Sequence, residues 1–225
     1  MLMKTFKFFK PIAILSIIAI VYFIFSCKKD VNNTIVLNGR IYDPNQKAYV
    51  SGADVQFLSS KIVSGSYNPT YVVVASAVTD ANGSFHLEYV KDKDAAFQVI
   101  VSKDKYFDHT YDIAVTALPG GTYTPTYNIY CDAYFKIHVK NTLPNAANDQ
   151  IGYAYVNSQP ACYTCCNSTP QVGLGNSYDS TSKCRTFGAQ KMHVQWSVKK
   201  NGNTFQYDSS IFCAPFDTTL FELFY

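Results

Sequence analysis

Thr79-Asp80-Ala81-Asn82-Gly83-Ser84-Phe85-His86-Leu87-Glu88-Tyr89 sets a turn directly ahead of a strand. Asn82-Gly83 tolerates the left-handed backbone of a tight turn, and Phe85, Leu87 and Tyr89 then alternate with His86 and Glu88. A period of two, in place of 3.6, makes one face apolar and the other wet, which is a half-buried strand. The same pattern extends in both directions. Upstream, Leu37, Gly39 and Ile41 share a face before Asp43-Pro44-Asn45, and Val55 and Phe57 share one after Ser51-Gly52. Tyr71 to Val78 is a continuous apolar run rich in Val, as expected of a strand covered on both faces. Downstream come Phe97, Val99 and Val101, then Tyr111, Ile113 and Val115, then Tyr123, Tyr127 and Ile129 beyond Pro119-Gly120-Gly121. About seven strands therefore occupy residues 33–130, the size of one β-sandwich.

Residues 131–225 also read as short strands. Tyr134, Lys136, His138 and Lys140 alternate with an inward set of Phe135, Ile137 and Val139. Gly152 to Val156 is a strand, and Met192, Val194, Trp196 and Val198 line one face of another. Lys200-Asn201-Gly202-Asn203 turns the chain into Thr204 to Tyr207, Ile211 to Cys213 forms a penultimate strand, and Thr219 to Tyr225 closes the domain. A second sandwich, immunoglobulin-like, is the simplest architecture. The expectation is an all-β chain of two tandem β-sandwich domains.

Composition agrees and narrows the function. Apolar residues make up 48% of the 225 and charged residues only 16%, with 18 Tyr and 16 Phe. That balance favours strands over helices. Lys4, Lys7 and Lys10 account for the whole excess of 19 basic over 16 acidic side chains. The remainder is neutral and lacks the basic stripe that nucleic acid requires, so no nucleic-acid partner is expected. Those three lysines precede Ile12 to Phe25, an uncharged apolar run shorter than the roughly 20 residues of a spanning helix, which is the layout of a signal peptide.

Two resemblances follow from particular residues. Ile24-Phe25-Ser26-Cys27 resembles the lipobox of bacterial lipoproteins, and Lys28-Lys29-Asp30 looks like the charged tether of Bacteroidota lipoproteins. That resemblance implies a signal peptide over 1–26, lipidation at Cys27, a lipidated tether over 27–32, and a partner membrane reached through the lipid anchor at the outer membrane or cell surface. Several acyl chains hold a protein on a bilayer far better than one. Asn38-Gly39-Arg40-Ile41-Tyr42-Asp43, Val50-Ser51-Gly52-Ala53-Asp54-Val55 and Thr79 to Phe85 resemble, in order, the carboxypeptidase regulatory-like domain. The resemblance implies a transthyretin-like sandwich over 33–130, and it covers somewhat less than half the chain. Tyr49 stands where that family has Pro, and Lys61 to Thr70 is a longer insertion. The peptidase domain that often accompanies the family is absent from this sequence.

Six cysteines, Cys131, Cys162, Cys165, Cys166, Cys184 and Cys213, fall in the second region. An even number in an exported chain reads as disulfides, with 15 connectivities open. The rival reading is a metal or thiol enzyme built on Cys162, Cys165 and Cys184 with His193. Cys162-Tyr163-Thr164-Cys165 has zinc-knuckle spacing, but Cys184 brings no second knuckle. Gln159 to Tyr178, a polar loop stapled by cysteines, is the candidate contact surface, with Tyr163 and Tyr178 as candidate ligand contacts.

No Gly-x-Ser-x-Gly, His-Glu-x-x-His or phosphate loop occurs in the sequence. His86 and Glu88 share a strand face that reads as solvated, and Asp80-Ala81-Asn82-Gly83 reads as a plain turn. Asp179-Ser180-Thr181 and Asp217-Thr218-Thr219 look like the short O-glycosylation motif of Bacteroidota. The expectation is a non-enzymatic binding or scaffolding module with no catalytic residue, metal or cofactor, whose partner is a protein or glycan. The alternatives are a glycan-binding accessory of an uptake system, the thiol or metal enzyme, and a small outer-membrane barrel.

Overall fold

A computed structural model of the chain describes residues 33–156 and 165–225, so Cys27, Cys162 and Tyr163 lie outside the described residues. The chain is all-β, two sandwiches in tandem. In the first half, β1 (Thr34–Asp43), β2 (Ala48–Tyr49), β3 (Asp54–Val63), β4 (Ser66–Tyr67), β5 (Val72–Val78) and β6 (Ser84–Val90) come first. They are followed by β7 (Asp94–Ser102), β8 (Tyr106–Phe107), β9 (His109–Ala114), β10 (Gly121–Tyr123) and β11 (Thr126–Asn128). β1 is the spine of one sheet, antiparallel to β6 and β2 and parallel to β10 and β11. β3 is the spine of the other, between β5 and β7, with β9 beyond β7.

Alternation puts Ile35, Leu37 and Ile41 of β1 opposite Val55 and Phe57 of β3 and Phe97, Val99 and Val101 of β7, each at most 1% exposed. Phe57 and Phe97 stack at 5.0 Å between ring centres. Each such side chain contributes roughly 1.5–3 kcal/mol through burial. At the turn, the Asp80 carboxylate accepts the N–H groups of Asn82 and Ser84, both at 2.8 Å, and Gly83 adopts φ 69°. The Val-rich run corrects its sequence reading. β5 pairs with β3 alone, and Val72, Val73 and Val78 are each more than half exposed. A β-branched run suits the extended backbone whether or not anything covers it, so apolar content alone does not place a strand centrally.

One carboxylate is sealed beneath this sandwich. The Asp94 side chain is fully buried and receives the Lys61 ammonium at 2.9 Å, the Tyr89 hydroxyl at 2.8 Å, the Asp92 N–H at 2.9 Å and the Ser59 hydroxyl. Burial acts to raise its pKa, but the hydrogen bonds from Ser59, Lys61 and Tyr89 outweigh it and hold the carboxyl below the usual carboxylate range. In the second sandwich Asp149 is held low as well, first by the Asn145 N–H and then by the Asn141 amide. A depressed folded-state pKa stabilises the fold above the unfolded value and is lost as pH falls through the folded one. Stability should therefore be flat from neutrality to about pH 5 and fall steeply below about pH 4. Urea midpoints across that range test this, and Ser59→Ala should move the fall toward higher pH.

The second half contains β12 (Tyr130–Lys140), β13 (Gln150–Tyr155), β14 (Gln171–Leu174), β15 (Asp179–Phe187), β16 (Gln190–Lys200), β17 (Asn203–Cys213) and β18 (Thr218–Phe224). One sheet runs β15-β12-β18 and the other β14-β13-β16-β17. Between them lie Ala133, Phe135, Ile137, Val139, Ile151, Met192 and Val194. Asn201 and Gly202, both at positive φ, make the expected two-residue turn. The two short strands read after it are one, β17, because an edge strand accepts Asp208-Ser209-Ser210 on its open face. β15 escaped the sequence reading altogether, since Asp179 to Lys183 offers no apolar alternation.

The chain crosses from one core to the other inside β12, whose first two residues pair with β8. Polar and aromatic contacts lock this crossing. Buried Asp43 accepts the Cys131 N–H at 3.0 Å, Asn45 donates to the Gly188 carbonyl, and Arg185 donates to the Tyr106 carbonyl at 2.8 Å while its guanidinium lies 3.9 Å from the centre of the Phe107 ring. Phe187 meets Phe107 at 4.5 Å and Tyr130 at 4.8 Å. Thr34–Tyr225 is accordingly one compact unit.

Candidate functional site

The cysteines divide differently from the sequence expectation. Cys166 and Cys184 form a disulfide, with Cα atoms 5.0 Å apart, and Cys165 is also disulfide-bonded. Cys131 and Cys213 are corrections, because both are free and buried. Burial, reinforced by nearby Asp43, pushes the Cys131 thiol up to about 12, and burial raises that of Cys213. Such thiols carry almost no thiolate and are unreactive. Of the thiol or metal ligand set, Cys184 is bonded to Cys166 and Cys165 is disulfide-bonded as well, so neither sulfur is a free thiol.

The disulfide has a structural purpose. Cys165 forms an isolated backbone bridge with Arg185, and the Cys166 N–H donates to the Arg185 carbonyl at 2.9 Å, so Cys165 and Cys166 sit against the free edge of β15 at Arg185. Covering an edge in this way removes a template for strand addition. Of the two candidate contacts, Tyr178 is half-buried against the second core, its ring so close beneath Gly173 that a Cβ there would lie 2.4 Å from it. Tyr178 thus holds β14 down and presents little ring to a ligand. Among the other tyrosines Tyr127 is buried, and burial followed by the neighbouring Tyr111 pushes its phenol up to about 12. His86 and Glu88 are exposed and face each other at 3.3 Å.

A groove that sequence reasoning missed lies on the outer face of the β14-β13-β16-β17 sheet. Ile151, Tyr153 and Tyr155 of β13 point into the core, which leaves Gly152 and Ala154 outward. Register then builds two transverse rows, Gly152 beside Ser197 beside Gln206, and Ala154 beside Gln195 beside Asp208. Two nearly absent side chains make the trough, and Gln195, Gln206, Asp208 and Pro170 flank it, an open depression of about 430 Å3. That volume is in the range of small-ligand sites, ~300–1,000 Å3. Beneath the floor Trp196 stacks on Tyr207 at 5.7 Å and meets Phe221 at 5.9 Å, which stiffens β16 against β17. His193 approaches Asp208 at 3.4 Å across the β16–β17 pair. The signal in the sequence was Gly152-Tyr153-Ala154, a strand with large inward and minimal outward residues.

No family model and no curated protein matches the chain. Among solved structures it is similar to the shaft pilin SpaA of Lactobacillus rhamnosus GG, at 10% identity over 85% of this chain and 96% of that one, with a TM-score of 0.28. It is similar to a streptococcal ancillary pilin at 11% identity over 85% of this chain and 62% of that one, with a TM-score of 0.32. A 9R-lipoxygenase from Cyanothece matches at 12% identity over 45% of this chain but only 17% of its own length, with a TM-score of 0.31. Scores of this size carry no functional conclusion.

Proposed function

We propose that the chain is a lipid-anchored envelope protein and a non-enzymatic binding module, its first sandwich a spacer and its second the ligand-bearing part, with a glycan as the ligand. The groove across β13, β16 and β17 carries this reading. Carboxamides and hydroxyls both donate and accept hydrogen bonds, and Gln195, Gln206 and Ser197 offer them in register along a trough, as a chain of sugar hydroxyls requires. The sheet fixes the backbone spacing of these groups, so little backbone ordering is needed on binding. Glycoside cleavage normally uses two carboxyl groups flanking the bond. Asp208 is the one carboxylate lining the groove among the described residues, and it faces His193, which favours holding a glycan over cutting it. The lipobox and charged tether support attachment at the outer membrane or cell surface.

Gly152→Val tests the reading. The nearest atom to a Cβ at Gly152 is the Ser197 hydroxyl oxygen at 3.4 Å, an ordinary contact, so a β-branched side chain enters the strand without strain and fills the trough. In affinity electrophoresis against a panel of neutral polysaccharides, the wild type should be retarded by at least one and Gly152→Val by none. Its thermal midpoint should stay within about 2 °C of wild type. Equal retardation of Gly152→Val and of Gln195→Ala/Gln206→Ala would remove the groove from the function.

A further inference from the structure

We propose that the outer face of the opposite sheet, β15-β12-β18, is a separate seat for an anionic glycan bearing carboxylates or sulfates, gripped between Lys136 and Lys183. Alternation on β12 sends Phe135, Ile137 and Val139 inward, so Tyr134, Lys136, His138 and Lys140 face outward. The β12–β15 register sets Tyr134 beside Arg185, Lys136 beside Lys183, and Lys140 beside Asp179. Most of this face is neutralised internally. Lys140 lies 2.9 Å from Asp179, His138 lies 2.8 Å from the same carboxylate and 4.0 Å from Glu222 of β18, and Arg185 lies 3.2 Å from Asp132.

Lys136 and Lys183 have no such answer. Among the described residues neither reaches a carboxylate, yet the register places them directly opposite each other, both exposed. Like charges opposed on neighbouring strands destabilise a sheet, and an anion between them turns the repulsion into attraction. The Lys183 ammonium is already positioned, 4.3 Å above the centre of the Tyr134 ring. Across β12, half-exposed Leu220 stands beside Lys136 and offers an apolar rest for the C–H face of a sugar ring, while Thr218 and Thr181 supply hydroxyls on either side. The face continues into a cleft of about 980 Å3 whose far wall carries Lys103 and Lys105 with Asp104 and Asp108. Charge on that wall cancels, so the excess positive charge lies on the sheet, at Lys136 and Lys183, where no carboxylate is paired with either ammonium among the described residues.

The full chain, purified in a non-ionic detergent, should be titrated by calorimetry with dextran sulfate and polygalacturonate, using neutral dextran and polyaspartate as controls. Lys136→Gln and Lys183→Gln should each weaken binding of the anionic glycans about tenfold, the effect of losing one charge-assisted contact, while Lys199→Gln leaves it unchanged. Both variants should keep or raise the thermal midpoint, because each relieves the repulsion; this separates lost binding from lost folding. Gly152→Val should bind the anionic glycans as wild type does, so failure of the groove and failure of this seat are distinguishable. Wild-type affinity in Lys136→Gln/Lys183→Gln would overturn the proposal. So would neutral dextran bound equally well, which removes the role of charge, or polyaspartate bound equally well, which removes the sugar.

Discussion

Gly83→Ala should lower the thermal midpoint by about 10 °C, whereas Gly65→Ala should lower it by only about 3 °C. Both glycines have positive φ, 69° and 80°, so both substitutions incur the left-handed cost of roughly 1–2 kcal/mol. They differ in surroundings. A Cβ at Gly65 meets nothing within 4 Å, while one at Gly83 would lie 2.9 Å from the Ile41 carbonyl oxygen, the Val50 nitrogen and the Tyr49 Cβ. Two of those are backbone atoms that bond each other, since the Val50 N–H donates to the Ile41 carbonyl at 2.9 Å, and the Gly83 carbonyl in turn accepts the Ile41 N–H. Relieving the clash pulls at two hydrogen bonds of the β1 sheet, which brings the total to about 3 kcal/mol. Differential scanning fluorimetry of the two variants beside wild type measures the difference. Equal shifts would mean that the turn backbone moves aside freely.

Phe135→Ala should destabilise the protein by about 4 kcal/mol. The side chain is fully buried on the central strand β12, edge-on to Tyr155 at 5.7 Å and near Phe221 at 6.3 Å, so the space it leaves is walled by rings that cannot collapse into it. The calorimetric trace carries a second piece of information. Asp43, Asn45 and Arg185 tie the two sandwiches across β12, and Phe107, Tyr130 and Phe187 pack at the crossing. The expected result is one transition that moves as a whole. Two transitions, only one of them shifted by Phe135→Ala, would show that the sandwiches unfold independently despite these contacts.

Much of the first sandwich was legible because its strands are half-buried: Phe85 and Leu87 alternate with His86 and Glu88, Phe97, Val99 and Val101 share one face, and Gly52 and Gly83 mark turns at positive φ, although Lys47, Lys93 and Lys105 take up the same left-handed backbone with no sign in their residue type. The reading failed where that link between pattern and burial breaks. Val72 to Val78 is apolar but lies at a sheet edge, and Asp179 to Lys183 is polar but pairs along β12. Edge strands gain their stability from backbone hydrogen bonds to one neighbour, which leave no mark on side-chain composition. The cysteines show the same limit. Their even number, read with an N-terminus laid out like a signal peptide, predicts disulfides, yet pairing depends on which backbones lie about 5–6 Å apart. Cys184 meets Cys166 because the backbone at Cys165 and Cys166 pairs with Arg185 of β15, whereas Cys131 and Cys213 are folded into the interior as thiols.

By itself, then, the sequence determined an all-β chain, the positions of most turns, and the inward faces of the long strands, because alternation and left-handed turn residues act locally. Both proposed ligand surfaces were decided by tertiary structure. Gly152, Ser197 and Gln206 are widely separated in the chain, as are Lys136 and Lys183, and only strand register brings either set together. Register is fixed by the packing of whole inner faces, so a single residue's outward neighbours across the sheet are a property of the assembled cores.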